Sequence, residues 1–534
     1  MGGSVSRSDI RRAVSACALS CALAGCSDLL IESPRSFLST DSYYRTPAEI
    51  EAATIASYQH LSQNELWRRW LVWDFELASD MVRINPDEPN FNTYHPGLLL
   101  WTPSDASVNN PWNGLYSTIH RANTVIEKAP RVTFTDAAYQ RQLIAEAMFV
   151  RSYSYLLLTK AYGDVLLLLS LDDHAAATTK TRTPVEEIHQ RIIADLVAAE
   201  ADLPDAPSQL GRASKAAAQM VLADLYQWRS SFLKTDQWNE ASTWAKKVVD
   251  NPRWSLVADY LAQYLPAQKG NAEIIWLIVS SGLDSRSSTD PACSWQPREL
   301  GFGQGGGCEV VGQPTKWQYE SYLCTAPDPL TFGANGRIAD TTRIRGCDYR
   351  KQVTYRLTGC SVNPSIGCIV FKWPNIHKYR AKNAMVGVPS DVDFPLYRYA
   401  EALLMYAEAQ NELGNSGVAV QYINRLRARA RNGDGSGAPF AVPHDYGTQG
   451  EAMDKLSVRA AIYQERNWEM AHEGKRWFDL VRRNSLEPGY WSQSLIAHDP
   501  ETAVRGDVQE FRMRFPVPAT ERTLNARLTQ NPGY

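Results

Sequence analysis

Residues 398–431, RYAEALLMYAEAQNELGNSGVAVQYINRLRARAR, decide the fold class. Leu403, Leu404, Ala407 and Leu413 follow helical spacing, which predicts a helix with one buried face. Gly414-Asn415-Ser416-Gly417 supplies a left-handed cap and a short turn. Val418, Tyr422, Ile423 and Leu426 mark a second helix, so the stretch reads as an antiparallel hairpin the size of one tetratricopeptide-type repeat. Such a hairpin cannot bury its apolar face alone and needs stacked neighbours. Lys215 to Asp250 provides one, through Ala216, Leu222, Ala223 and Tyr226 and then Trp238, Ala241, Trp244, Ala245 and Val248. Leu115–Ala129 with Arg141–Ala161, and Val185–Leu203, carry the same period. The expected fold is mainly α: about four tetratricopeptide-like hairpins, long irregular loops and a few short strands.

Acidic and basic residues nearly balance in the 534-residue chain, with a formal charge of -3. No basic face is implied, which argues against a nucleic-acid partner. The N-terminus carries Arg7, Arg11 and Arg12, a mildly apolar stretch from Ala13 to Ala22, and Leu23-Ala24-Gly25-Cys26. This pattern predicts a lipoprotein signal peptide over 1–25, acylation of Cys26 and a lipidated tether over 26–45; an ordinary secretory signal is the competing reading. The richest later apolar run, Val165 to Leu171, is too short to span a bilayer. Six cysteines follow, Cys293, Cys308, Cys324, Cys347, Cys360 and Cys368. In an exported chain they read as disulfides with about fifteen possible connectivities, and zinc is the rival although no Cys-x-x-Cys pair exists.

The body is expected over 46–534, with an N-terminal helical part over 46–260, a loop-rich insertion over 261–390 and a C-terminal part over 391–534. Thr46-Pro47-Ala48-Glu49 opens a helix expected to run to Arg69, and Trp67, Trp70 and Trp73 should share one core-facing side. Asp80 to Asn110, with four prolines, reads as a long functional loop, and Glu273–Val279 as a buried strand. Glu465, Glu469 and Glu473 fall four apart on one helix face and need neutralising by Arg466 and Arg476 or by basic groups of another helix. Arg427, Arg429 and Arg431 are expected to pair with this block. Glu469-x-x-His472 and Glu186-x-x-His189 each match half of a di-metal motif, but no further facing glutamates are identified, so no metal or cofactor is assigned. No motif proposes the carboxyl pair of a glycosidase.

An ordered set of motifs resembles the SusD/RagB family of outer-membrane nutrient-binding lipoproteins. It runs from the Cys26 lipobox through WNGLYSTIHRANTVIEKA (from Trp112), EAMFVRSYSYLLLTKAYGDV (from Glu146) and GRASKAAAQMVLADLYQW (from Gly211). NAEIIWLI (from Asn271), PTKWQYESY (from Pro314), RYAEALLMYAEAQNELG (from Arg398), IYQERNWEMAHEGKRWFDLVR (from Ile462), FPVP (from Phe515) and the terminal QNPGY complete it. The resemblance implies a non-enzymatic protein on the cell exterior, anchored in the outer membrane, that binds glycans, or in some members peptides. It also implies a SusC-type TonB-dependent transporter as partner. Val165-Leu166-Leu167 and the sequence after Pro314-Thr315 depart from the family pattern, as does the six-cysteine section.

Glycan recognition calls for flat aromatic faces beside polar side chains that bind paired hydroxyls. The candidate stacking residues are Tyr94, Trp101, Trp295 and Trp317, with Asn85, Asn92 and Arg298 as polar partners. On this reading the opening hairpin is frame, and ligand capture belongs to the insertions after Asp80 and Cys293. A glycan hydrolase and a scaffold that binds only proteins are the rival readings.

Overall fold

A computed structural model describes the chain except residues 1–42, 86–90, 281–294, 296–310, 327–330, 333, 335–337, 342, 361–367, 380–391, 436, 438 and 499–507. The expected signal peptide, Cys26, most of the tether, Cys293, Cys308 and Arg298 therefore lie outside the described residues, as do the side chains of Asn92, Tyr94, Cys360 and Cys368.

Helix α1 (Pro47–Leu61) opens with a capping box in which Thr46 and Glu49 satisfy each other's backbone N–H groups. It stops at Leu61, short of the expected Arg69, and a run of turns leads to α2 (Trp70–Leu77), whose eight residues are all buried. Next come strand β1 (Val82–Ile84), α3 (Phe91–Leu98), α4 (Ala106–Lys128), α5 (Ala137–Tyr162), the short α6 (Leu171–Ala175), α7 (Val185–Asp202), α8 (Lys215–Ser231) and α9 (Trp238–Val249). The expected structureless stretch from Asp80 to Asn110 thus holds a strand, a helix and the start of another. One of its prolines, Pro96, lies inside α3, and α4 begins before Pro111, which it also contains.

Strands β2 (Ile274–Ile278) and β3 (Gly312–Pro314) bracket the insertion, which continues with α10 (Lys316–Glu320), α11 (Tyr349–Thr354), β4 (Tyr355–Cys360), β5 (Cys368–Ile376) and β6 (Phe394–Arg398). Among the described residues three antiparallel two-stranded ribbons form, β1 with β3, β2 with β6 and β4 with β5. Cys360 and Cys368 are directly opposed in the β4–β5 register, and Cys324 is disulfide-bonded to Cys347.

The opening stretch contains α12 (Tyr399–Glu412) and α13 (Ser416–Asn432), with Gly414 in the left-handed region at φ +89. Arg398 ends β6 and stands at the N-cap position of α12. Beyond lie α14 (Lys455–Glu469), α15 (Arg476–Leu486), α16 (Tyr490–His498) and α17 (Ala519–Leu524). Among the described residues four hairpins stack in order, α1 with α4, α5 with α7, α8 with α9, and α12 with α13. Packed against α9, α13 and α14, α12 is buried continuously from Tyr399 to Ala409, well beyond the single face that its spacing suggests.

A buried ionic cluster joins α13, α14 and the insertion. Glu465 accepts from Arg350 at 2.6 Å and Arg427 at 2.9 Å. Glu469 accepts from Arg350 and Arg398, each at 3.1 Å, and from Arg429 at 2.5 Å. Glu473 accepts from Lys378 at 2.6 Å and Arg398 at 2.8 Å. The expected neutralisers Arg466 and Arg476 bind Asp479 and Asp80 instead, and Arg431 pairs with Asp445. The metal half-motifs are also occupied: Glu186 pairs with Arg229, His189 with Thr159, and His472 with Glu76 and Tyr355. Among the described residues no group of three or more His, Cys, Asp or Glu could hold a metal ion.

Candidate functional site

Pairing of β1 with β3 brings Val82 opposite Pro314 and starts a platform of aromatic and charged side chains. The chain leaves β3 at Thr315, whose N–H donates to the Met81 carbonyl and whose hydroxyl donates to the Asp80 carbonyl, each at 2.8 Å. Thr315 also caps α10 by accepting from the Gln318 N–H. This double attachment fixes the partly exposed Trp317. Its ring lies flat on the His498 imidazole, 3.6 Å between centroids and 3° from parallel.

Asp80 is the buried foundation. Its carboxylate accepts from Arg476 Nε and Nη2 at 2.7 Å each, from the Ser494 hydroxyl at 2.8 Å and from His498 Nδ1 at 2.8 Å. Burial opposes the charge on Asp80, but Arg476 and His498 outweigh it and hold the carboxyl far below its ordinary range. An ionised Asp80 can only accept, so His498 Nδ1 carries a proton. The 21 % exposed imidazole is thereby locked beneath Trp317, and the Arg476 guanidinium lies 5.5 Å from the same indole.

A second aromatic group adjoins through β3. Trp373 on β5 is buried and donates its indole N–H to the Pro314 carbonyl at 2.7 Å, so it supports the exposed Phe332 and does not itself face outward. Arg83 stacks on Trp373 at 3.7 Å and donates to Gln313 at 3.0 Å. Phe332, 43 % exposed, stacks on Trp373 with centroids 5.3 Å apart. Flat rings bordered by fixed guanidinium, amide and imidazole groups are the chemistry that apolar sugar faces and their hydroxyls require. Among the described residues, the carboxylate in these contacts is Asp80, and Arg476, Ser494 and His498 already occupy it.

Of the sequence candidates, only Trp317 has a partly exposed described side chain here. Trp101 is 1 % exposed and packs against Trp477 and Phe515, so the expected ligand-facing ring is core. Trp295, also 1 % exposed, sits against Gly312, where a Cβ would lie 3.1 Å from the indole. Asn85 is 4 % exposed, which corrects its expected role as a surface polar partner. Sequence reasoning missed Asp80, Arg83, Phe332, Trp373 and His498. PTKWQYESY marked the neighbourhood, but no local signal announces that His498 lies beneath Trp317.

A profile described as "SusD family" matches residues 272–534, and one described as "Starch-binding associating with outer membrane" matches 45–227. The chain belongs to the SusD family. SusD-like protein P2 of Formosa agariphila is 28 % identical, over 96 % of this chain and 97 % of that protein. Starch-binding protein SusD of Bacteroides thetaiotaomicron is 24 % identical, over 82 % of this chain and 80 % of its own length. Among solved structures, surface glycan-binding protein A from Bacteroides uniformis aligns with a TM-score of 0.69 at 21 % identity, covering 91 % of this chain and 99 % of that one. That likeness establishes the SusD-like fold, a helical scaffold with short strands. The second profile associates the family with the outer membrane.

Proposed function

We propose that this SusD-family chain is a non-catalytic surface lipoprotein that captures oligosaccharides on the Trp317 platform and passes them to a SusC-type TonB-dependent outer-membrane transporter. The observation that carries the binding reading is the Trp317–His498 stack, held rigid from below by the buried Asp80–Arg476 pair. Pre-organised aromatic faces bind without first losing side-chain freedom, which favours affinity. A hydrolase requires an acid and a second carboxylate flanking the scissile bond. Asp80 is buried, ionised and fully engaged, which suits a structural anchor and not a proton donor. Starch binding by the SusD relative and glycan binding by the Bacteroides uniformis protein, as their names state, support the ligand class.

Affinity electrophoresis through gels containing soluble polysaccharides tests the capture step. At least one polysaccharide should retard the protein, and Trp317→Ala should weaken that retardation about tenfold or more, the scale of a lost aromatic contact of roughly 1.4 kcal/mol. Unretarded migration in every gel, or a Trp317→Ala variant indistinguishable from wild type, overturns the reading. A pull-down of the intact membrane protein should recover a large outer-membrane barrel, and its absence at native lipoprotein levels would remove the delivery step.

A further inference from the structure

A second cleft, of about 770 Å³, opens beside the first hairpin and shares no lining residue with the platform. Its volume falls within the range of roughly 300–1,000 Å³ typical of small-molecule sites. One face of α4 forms a wall with Asn113, Ser117, His120 and Thr124, spaced three or four residues apart, and with Tyr116 beside them. Opposite, α1 presents only the small side chains Ala52, Ala53 and Ala56, which leave the space open. Tyr43 and Tyr44 line the cleft edge-to-face at 4.8 Å. Tyr44 adopts φ +64, an unusual conformation for a bulky side chain, immediately before the α1 cap.

His174 on α6 completes the polar lining. It meets His120 edge-to-face at 4.7 Å. Asn123 donates its amide to His174 Nε2 at 3.3 Å, so Nδ1 carries the imidazole proton. Burial pushes His174 down to about 4 and lowers His120 as well, so near pH 7 both rings are neutral and each combines a donor with an acceptor. Arg121 and Glu521 also line the cleft, and neither side chain has a hydrogen-bond or ion-pair partner among the described residues. One cation and one carboxyl leave no net preference for a charged ligand. Aromatic faces, bifunctional neutral groups and an available Arg and Glu together match a polyhydroxylated ring.

We infer that this cleft is a second carbohydrate-contact site that takes an uncharged pyranose unit, independently of the Trp317 platform. The choice of ligand class rests on the glycan-binding reading; the location rests on the cleft itself. The test is to follow the imidazole NMR signals of His120 and His174 in histidine-labelled protein while titrating methyl glucoside, galactoside, mannoside and xyloside. At least one pyranoside should shift both histidines saturably. Ala53→Trp, which fills the cleft from α1, and Ser117→Trp, which fills it from α4, should each weaken the response at least tenfold, while Trp317→Ala leaves it unchanged. Thermal melts identify which blocking variant is folded, and either one suffices. If no pyranoside moves the histidines, or the response survives in a folded blocking variant, the inference is overturned. The platform reading is judged separately, by oligosaccharide retardation of Trp317→Ala.

Discussion

Replacing Glu469 by Gln should destabilise the protein by about 3–5 kcal/mol, the usual cost of breaking a buried ion pair from one side. Arg350, Lys378, Arg398, Arg427 and Arg429 face Asp348, Glu273, Glu465, Glu469 and Glu473, five cations against five carboxylates. Glu469 touches three of the arginines, and both of its oxygens accept. Gln keeps the shape but leaves one uncompensated positive charge. Whichever way its amide is flipped, it aims N–H groups at a guanidinium. Over the roughly 490 residues of the body, unfolding entropy of ~2.1 cal/mol/K per residue sums to about 1 kcal/mol/K, so the melting temperature should fall by about 3–5 °C. Urea unfolding followed by circular dichroism, with calorimetry alongside, measures both quantities. Adding Arg429→Met to Glu469→Gln should recover part of the loss, because the pair is then removed together. A loss below about 1 kcal/mol for Glu469→Gln would refute the assigned charge pattern.

Three further outcomes are expected. Asp80→Asn should lower stability by about 3–5 kcal/mol, since Arg476 remains buried without its counter-charge, and should also weaken oligosaccharide retardation because His498 loses its anchor; unchanged retardation would separate the platform from Asp80. Arginine pairing outweighs burial at Asp80, Glu469, Asp479 and Glu473 and lowers each carboxyl, Glu473 to about 2. Their folded pKa values lie below the unfolded ones, so the stabilisation is full above about pH 4.5 and is lost as pH falls toward about 2; a flat urea midpoint across that window would contradict it. Cys324→Ser with Cys347→Ser should cost about 3 kcal/mol through the freed 23-residue separation, read as a lower urea midpoint that reductant no longer changes.

The helical frame was legible because local periodicity reports it. The hairpins around Leu403 and Leu222, the Thr46 capping box, the Gly414 turn and the buried strand near Ile275 each depend on residues within a few positions of one another. The region after Asp80 departs from the expected loop for an equally local reason, since its prolines, Pro96 inside α3 among them, resemble loop composition. Aromatic content could not separate ligand-facing from core rings. Trp101 and Trp317 both stand in proline-containing sequence read as loop, yet one packs against Trp477 and the other covers His498. That choice is made by partners distant in sequence, Trp477 for Trp101 and His498 for Trp317.

The contact that brings those partners together also explains why the charged core and the platform form one mechanical unit. Glu76, four residues before Asp80, accepts from the Gly474 N–H at 2.7 Å and pairs with His472 at 3.2 Å. Gly474 lies two residues before Arg476, at φ +71, and a Cβ there would meet Trp67 at 3.0 Å. The close approach of the 472–476 turn to α2 therefore sets the register in which Arg476 reaches Asp80. Glu473, between His472 and Gly474, is held by Arg398 and Lys378 in the ionic cluster. Burying so many charges is a poor route to stability alone, because desolvation opposes each pair. Their arrangement instead fixes one turn at the level of single hydrogen bonds, and from that turn the Asp80–Arg476 pair supports the stack of Trp317 on His498.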